Sequence, residues 1–328
     1  MTSSTVTSTF ADDVRYYLQL RPRQLPSQYL YDALGSALFD AICELPWYGI
    51  TRAENRLLAR HRQEIFAHLP GLTRIVELGP GDGRKLQTLV EGTSDPLTAH
   101  LVDISPGALT RATHTLSDAL HVTVVAHQAS FEHGLDKLSR DIRQAALADG
   151  QATLGGLEDR TLVLFLGSNI GNFDRPASTV LLDRICASLG RGDAFLIGAD
   201  LVKPERDFLL AYDDPLGVSA AFNLNVLLRI NRELGGDFDL RAFRHHAVWN
   251  ADCSRMEMFV VSTKTQHVRI EAIGLDIDLQ DGEGIWTESS YKYTAEGLIN
   301  QLENAGFEPV AQWIDRDDAF ALTLARPI

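Results

Sequence analysis

Between residues 74 and 200 short, almost wholly apolar runs alternate with amphipathic stretches. The runs are 74–78, 99–102, 122–126, 162–166 and 194–197. Between them lie one stretch with Leu86, Leu89 and Val90, a second with Ala108, Leu109, Ala112 and Leu116, a third with Leu135, Leu138, Ile142 and Ala146, and a fourth at 177–189. A strand apolar along its whole length must be covered on both faces, and parallel neighbours need a crossover helix between them. The pattern predicts an α/β fold built on a mostly parallel, Rossmann-like sheet. Ser105 is placed to cap the second helix. A helix at 294–305, closed by Gly306, precedes two short runs at 308–314 and 319–325. These are expected to add a hairpin whose antiparallel strand completes the sheet.

Outside this block the pattern is less regular. Leu34, Leu38, Phe39, Ile42 and Leu45 recur at helical spacing through 29–45, and Pro46 ends the run. Thr51 stands three residues before Glu54, which reads as a capping box opening the next helix. Residues 208–248 read as mostly helical, with a turn at Gly235–Gly236, and 256–262 with 266–273 as an antiparallel pair. The expected organisation is discontinuous. Residues 14–52 and 202–291 make a smaller substrate-binding lobe, 53–201 and 292–328 the sheet domain, and 1–13 a flexible tail.

The formal net charge of −14 and a pI near 5.1, with no run of Lys or Arg, disfavour nucleic acid and anionic membranes as partners. No apolar run approaches membrane-spanning length and the first residues lack the features of a signal peptide. Cys43, Cys186 and Cys253 are scattered and odd in number, which fits a reducing compartment, and a cytoplasmic location is expected. The histidines show no metal-ligand spacing, so no metal is expected, and His245–His246 reads as a surface pair.

The glycine loop Glu77-Leu78-Gly79-Pro80-Gly81-Asp82-Gly83 follows the first strand and opens a helix, the context in which backbone approaches a ligand closely. A dinucleotide loop, G-x-G-x-x-G, would need glycine at position 84, which is Arg84. Acid-x-G-x-G-x-G instead resembles the first loop of S-adenosylmethionine-dependent methyltransferases; a plain strand-to-helix turn is the alternative. Asp103 ends the second strand, where a carboxylate can accept from both ribose hydroxyls, or simply cap the next helix. After the fourth strand, Gly167-Ser168-Asn169-Ile170-Gly171-Asn172-Phe173 lies where open α/β sheets bind ligands, and amides there can hold a small polar molecule. A Gly/Asn turn is the competing reading. The Asn/Asp-Pro-Pro-aromatic tetrapeptide of nucleobase amino-methyltransferases is absent.

Longer blocks add a resemblance. They are Tyr31-Asp32-Ala33-Leu34-Gly35-Ser36-Ala37-Leu38-Phe39-Asp40, Leu45-Pro46-Trp47-Tyr48, Thr51-Arg52-Ala53-Glu54, the loop at 77–85, the Gly-Ser-Asn-Ile-Gly-Asn turn, Asp200-Leu201-Val202-Lys203, Ala211-Tyr212-Asp213-Asp214 and Ala220-Ala221-Phe222-Asn223-Leu224-Asn225. In this order they resemble the histidine-specific Nα-methyltransferases of ergothioneine biosynthesis over nearly the whole chain. The resemblance implies a class I methyltransferase fold, S-adenosylmethionine as methyl donor, no metal, and a monomer acting on a small amino acid. On the cofactor side it implies Tyr31, Glu77, Gly79, Gly81, Lys85, Asp103, Ser130 and Phe131. Ser130 stands where the family carries an acidic residue. On the substrate side it implies Tyr48, Phe39, Gly167, Asn169, Asn172, Tyr212, Ser219, Met258, Glu288 and Ser290, with Tyr48, Asn172 and Tyr212 nearest the chemistry. Asn169 stands where the bacterial family more usually has Thr.

A carboxylate beside a hydroxyl complements an imidazole, which offers one donor and one acceptor. Glu288 and Ser290 beside Met258 would favour histidine over an apolar side chain. The implied reaction is in-line methyl transfer to the α-amino group of L-histidine, up to the trimethylated betaine hercynine. Alternatives are Nα-methylation of another amino acid or small amine, and a catalytically silent cofactor-binding regulator. A dehydrogenase is a distant third, disfavoured by Arg84.

Overall fold

The computed structural model describes residues 9–119, 121–137 and 160–328. Two compact units emerge, Gly49–Val202 with Lys292–Ile328, and Lys203–Tyr291 with the chain up to Tyr48. Of the third amphipathic stretch, Leu138, Ile142 and Ala146 lie outside the described residues.

The chain begins with α1 (Phe10–Gln19), β1 (Arg23–Gln24) and α2 (Ala33–Cys43). Residues 9–13, expected within a flexible tail, are ordered, because Thr9 and Asp12 form a reciprocal capping box that starts α1 at Phe10. The helix expected from residue 29 starts at Ala33, where the Asp32 carboxylate caps it by accepting the Gly35 N–H at 2.7 Å. Gly35 has no alternative: a Cβ there would stand 1.7 Å from the Leu30 carbonyl oxygen.

The sheet unit follows with α3 (Gly49–Ala67), β2 (Leu72–Leu78), α4 (Arg84–Val90), β3 (Leu97–Asp103), α5 (Pro106–Leu116), β4 (Val122–Gln128), β5 (Arg160–Phe165), α6 (Arg175–Ser188) and β6 (Ala194–Asp200). α3 begins two residues before Thr51, so Thr51 lies inside its first turn and Glu54 faces the interior. The capping box expected at these two residues does not form. Ser105 caps α5 as expected, accepting the Ala108 N–H at 3.3 Å.

The excursion into the other unit carries α7 (Glu205–Tyr212), α8 (Val218–Leu234), β7 (Phe243–Asn250), β8 (Arg255–Ser262), β9 (Gln266–Ile270), β10 (Leu275–Leu279) and β11 (Gly284–Tyr291), after which α9 (Ala295–Asn304), β12 (Phe307–Asp315) and β13 (Phe320–Pro327) close the chain. The sheet unit has strand order β12-β13-β6-β5-β2-β3-β4. β2 to β6 run parallel, and β13 lies antiparallel to both β6 and β12. β6 is buried from end to end, as its apolar composition requires. The carboxyl ends of β2, β3 and β5 bring Glu77, Asp103 and the turn at 167–172 to one edge.

The excursion leaves and returns at one place. The Val202 N–H donates to the Tyr293 carbonyl at 2.9 Å and the Tyr293 N–H to the Asp200 carbonyl at 3.1 Å. Beside them Lys292 and Asp200 form a fully buried ion pair at 2.8 Å.

In the other unit the sheet order is β1-β11-β8-β7, with β9 and β10 a separate antiparallel pair. The pairing expected between 256–262 and 266–273 does not form, because both edges of β8 are taken by β7 and β11. Nor is 208–248 helical to its end. Phe243, His245 and Ala247 alternate with more exposed residues, and a period of two wins over helix when the partner is a buried strand. α8 packs against α2 as well as this sheet, and Asn225 on it donates to Asp32 at 2.7 Å.

Candidate active site

The candidate site residues fall into two groups, one in each unit. In the sheet unit Glu77 ends β2 with its carboxylate buried, and neither oxygen has a hydrogen-bond partner among the described residues. Burial raises its pKa to about 8, helped by the negative charges of Glu54, Asp82 and Asp103 and opposed by Lys85. Gly79 has φ +74°, and a Cβ on it would come within 2.7 Å of Asn169 Nδ2 and 3.4 Å of the Phe131 ring. Gly81 is also left-handed, but nothing stands within 4 Å of where its Cβ would be. Gly83 starts α4, where a Cβ would lie 2.9 Å from the Ala112 backbone.

Asp103 Oδ1 accepts the Ser105 N–H at 2.8 Å, and burial raises its carboxyl above the usual aspartate range. Phe131 packs edge-on to Phe165, with ring centroids 5.4 Å apart. The Ser130 hydroxyl is held locally, 3.0 Å from His133 Nδ1, and accepts the His133 N–H.

The turn after β5 is conformationally costly. Gly167 has φ +75° and Ser168, which does carry a Cβ, has φ +56°. A side chain in this region costs about 1–2 kcal/mol, so surrounding contacts must hold the turn. Ser168 Oγ accepts the Asp200 N–H at 3.0 Å. On the other side the Glu54 carboxylate accepts the Gly167 N–H, both oxygens at 2.8 Å, and pairs with Lys85 Nζ at 2.8 Å. Asn169, expected as a wall of the substrate pocket, turns its amide toward the glycine loop, while Asn172 ends the turn with an exposed side chain.

In the other unit Glu288 on β11 lies directly across from Met258 on β8, and both side chains are buried. A β-bulge between Trp286 and Glu288 shifts the register there, the local device by which a strand re-aims a side chain. Ser290, two residues on and so on the Glu288 face, accepts from Tyr212 Oη at 2.9 Å. Tyr31, Phe39 and Phe222 meet with ring centroids 5.4–5.9 Å apart. Tyr48 joins Phe39 at 6.2 Å and Tyr212 at 6.5 Å. Tyr31, expected on the cofactor side, is thus placed with this aromatic cluster. Ser219 lies buried in the first turn of α8, its N–H donating to Asp214 at 2.7 Å.

Two features went unread in the sequence. One is Glu54, whose spacing from Thr51 reads as a helix cap. The other is a polar chain behind the acceptor group. His245 Nε2 donates to the Tyr212 carbonyl at 2.8 Å, and its Nδ1 accepts from Asn223 Nδ2 at 2.8 Å. Asn223 Oδ1 in turn accepts from Thr287, in the bulge, at 2.5 Å. Of the pair expected at the surface, His246 is exposed and His245 is half-buried. Burial lowers its pKa, keeping the ring neutral, as an accepting Nδ1 requires. The block 220–225, which holds Asn223, was the available signal.

The residues of the sheet unit fit an amino acid joined to a nucleoside. An unpartnered buried carboxylate suits an ammonium, a lysine suits a carboxylate, a Cβ-free loop admits close approach, and a strand-end aspartate suits ribose hydroxyls. Among the described residues no group of three or more His, Cys, Asp or Glu is placed to hold a metal, and no helix is long and apolar enough to cross a membrane.

Comparison with known proteins agrees with this chemistry. The chain is 38% identical over 317 residues to the histidine N-alpha-methyltransferase of Mycolicibacterium smegmatis, covering 95% of this chain and 93% of that one. It is 36% identical over 318 residues to the enzyme of the same name from Mycobacterium tuberculosis, with the same coverage, 95% and 93%. Ergothioneine biosynthesis protein 1 of Neurospora crassa is 28% identical over 299 residues, which cover 89% of this chain and 32% of that longer protein. The family described as histidine-specific methyltransferase, SAM-dependent, matches residues 10–327, and the chain belongs to it.

Proposed function

We propose that this chain transfers methyl groups from S-adenosylmethionine to the α-amino nitrogen of L-histidine, in successive rounds up to the betaine hercynine. The observation that carries the choice of acceptor is the buried Glu288, opposite Met258 and two residues from the Ser290–Tyr212 hydrogen bond. Such a group suits a ring with both a donor and an acceptor, which an apolar side chain cannot match. In this reading Tyr48, Asn172 and Tyr212 hold the amino acid's carboxylate and amine. Phe39, Gly167, Asn169 and Ser219 complete the surroundings, and Glu77, Gly79, Gly81, Lys85, Asp103, Ser130 and Phe131 hold the donor. Tyr31 is assigned to the donor as well, and its ring meets Phe39 and Phe222. The bound donor supplies a methyl already activated on a sulfonium. The protein's work is therefore to align the amine and exclude water from it. The α-ammonium must lose a proton before it can attack, and the hydroxyls of Tyr48 and Tyr212 offer it a way out to solvent. We extend the reading to a cytoplasmic monomer that works on a free amino acid, in keeping with three free cysteines and an acidic surface.

The test is mass spectrometry after incubation with S-adenosylmethionine and a panel of free amino acids. Gains of one to three methyl groups on histidine alone are expected. Methylation of tryptophan or tyrosine in its place would overturn the acceptor assignment and keep the donor side. Donor binding without methylation of any acceptor would favour the regulatory reading.

A second expectation concerns pH. With a pKa near 8, Glu77 carries a proton at pH 7 in the free protein, and the ammonium of a bound donor would drive it off. Calorimetric binding of S-adenosylhomocysteine at pH 7, in buffers of different ionisation enthalpy, should show release of about one proton. Glu77→Gln should abolish that release. The stability effect has the opposite sign to that of an ordinary salt-bridged acid. The folded pKa lies above the unfolded value, so the folded state holds the extra proton, and stability falls as pH rises from 4.5 through 8. Glu77→Gln should flatten that fall, and an unchanged melting profile across this range would count against the buried carboxyl.

A further inference from the structure

We propose that Glu54 is a positioning residue for the reaction, its buried carboxylate fixing the Lys85 ammonium and the turn at 167–172 in one geometry. The inference rests on the donor-side reading of Lys85 given above. Glu54 lies one turn into α3 and is fully buried, a costly place for a carboxylate unless several donors meet it. They do. The Gly167 N–H reaches both of its oxygens and Lys85 reaches one.

The surroundings are built around this group. A Cβ at Gly198, inside β6, would stand 2.0 Å from Glu54 Oε1, so the strand gives up a side chain where the carboxylate sits. A Cβ at Gly167 would stand 2.6 Å from Lys85 Nζ, so the ammonium lies directly on the turn. That turn holds two successive left-handed residues, and its first N–H is held by Glu54. Glu54 thus has two arms. One runs to a side chain assigned to the donor's amino-acid end, the other to the backbone that leads into Asn169 and Asn172. Glu54 touches neither substrate in this scheme and acts through the groups it holds.

The two arms make different predictions in a double-mutant cycle. The probe is S-adenosylhomocysteine, its affinity measured calorimetrically on the full-length protein, with histidine KM read alongside. Glu54→Gln keeps the shape but presents an amide to the ammonium. It should weaken the probe by about tenfold or more, as losing a charged hydrogen-bond partner does. Lys85→Met should weaken it comparably. In the Lys85→Met background, Glu54→Gln should change probe affinity by less than about threefold, because the residue it works through is gone. Histidine KM should rise with Glu54→Gln in both backgrounds, because an NH₂ group then replaces one of the two oxygens that accept the Gly167 N–H, whether or not Lys85 is present. Gly198→Ala displaces the carboxylate without removing its charge. It should reproduce both effects, and it decides the matter if Glu54→Gln fails to fold.

Equal losses of probe affinity in both backgrounds would reduce Glu54 to a structural residue and overturn the proposal. An unchanged histidine KM would overturn it for the turn. If Lys85→Met leaves probe binding intact, the donor-side reading of Lys85 is wrong and the proposal falls with it. A wild-type protein that does not bind the probe would remove the donor assignment altogether.

Discussion

Replacing Glu288 by alanine is expected to lower kcat/KM for histidine by about a hundredfold, the worth of a hydrogen bond to a charged group. The accompanying gain should be as informative as the loss. An amino acid with an apolar ring offers this carboxylate no donor, a penalty that lets discrimination built on such a group reach roughly 10⁴-fold. Glu288→Ala removes that penalty, so methylation of phenylalanine or tryptophan should rise while that of histidine falls. The preference should narrow to within about tenfold, since shape alone separates similar side chains weakly. Parallel kcat/KM measurements on the three amino acids check this. A uniform loss on all of them would mean that Glu288 supports the sheet and does not read the side chain. The bulge beside it makes that outcome testable, because a purely structural strand residue would show its effect chiefly in the melting temperature.

The second large effect is expected at the glycine loop. Gly79→Ala puts a methyl group where Asn169 Nδ2 would be 2.7 Å away and forces alanine to φ +74°. The backbone cost is about 1–2 kcal/mol and the overpacking about 1–3 kcal/mol. The loop should relieve both by moving, and affinity for S-adenosylhomocysteine should fall by about a hundredfold. Gly81→Ala is the internal control. Its φ is +61°, but no atom lies within 4 Å of the new methyl group, so only the backbone term remains. A loss of about tenfold or less is expected there. Equal effects at the two positions would show that the loop needs glycine for its turn and not for close approach. Calorimetric titration of both variants decides it.

The central sheet was readable because its strands have nearly continuous apolar centres, most completely in β5 and β6, a pattern that survives most choices of neighbour. β2 to β6 fall within a few residues of the runs at 74–78, 99–102, 122–126, 162–166 and 194–197. The glycine loop and Asp103 were readable for the same reason, since they sit at the ends of those strands. Glu54 was not. Thr51 and Glu54 have the spacing of a cap, and only a partner 113 residues away in sequence reveals that the carboxylate serves another purpose. The strand β7 was hidden because its inward set includes His245 and Ala247, which look polar or neutral until the Asn223 hydrogen bond is seen. Strand pairing in that unit failed for a related reason. The partners of β8 are chosen by which edges remain open, and an open edge is a property of the assembled sheet.

The stitched crossing at Val202 and Tyr293 also bears on how such a chain can diversify. For the seven-stranded sheet, residues 203–291 are a loop whose two ends are already held side by side. The entropy of closing a loop grows only with the logarithm of its length, about 0.6 kcal/mol for each doubling. Lengthening, shortening or rebuilding that segment therefore costs the sheet little, whatever it does to the segment itself. Selection can rewrite the part that carries Met258, Glu288 and Ser290 while the strands that carry Glu77 and Asp103 stay under their own separate constraints. On the proposed assignment of these residues, a lineage of such enzymes can change the amine it modifies without rebuilding the machinery that holds the methyl source.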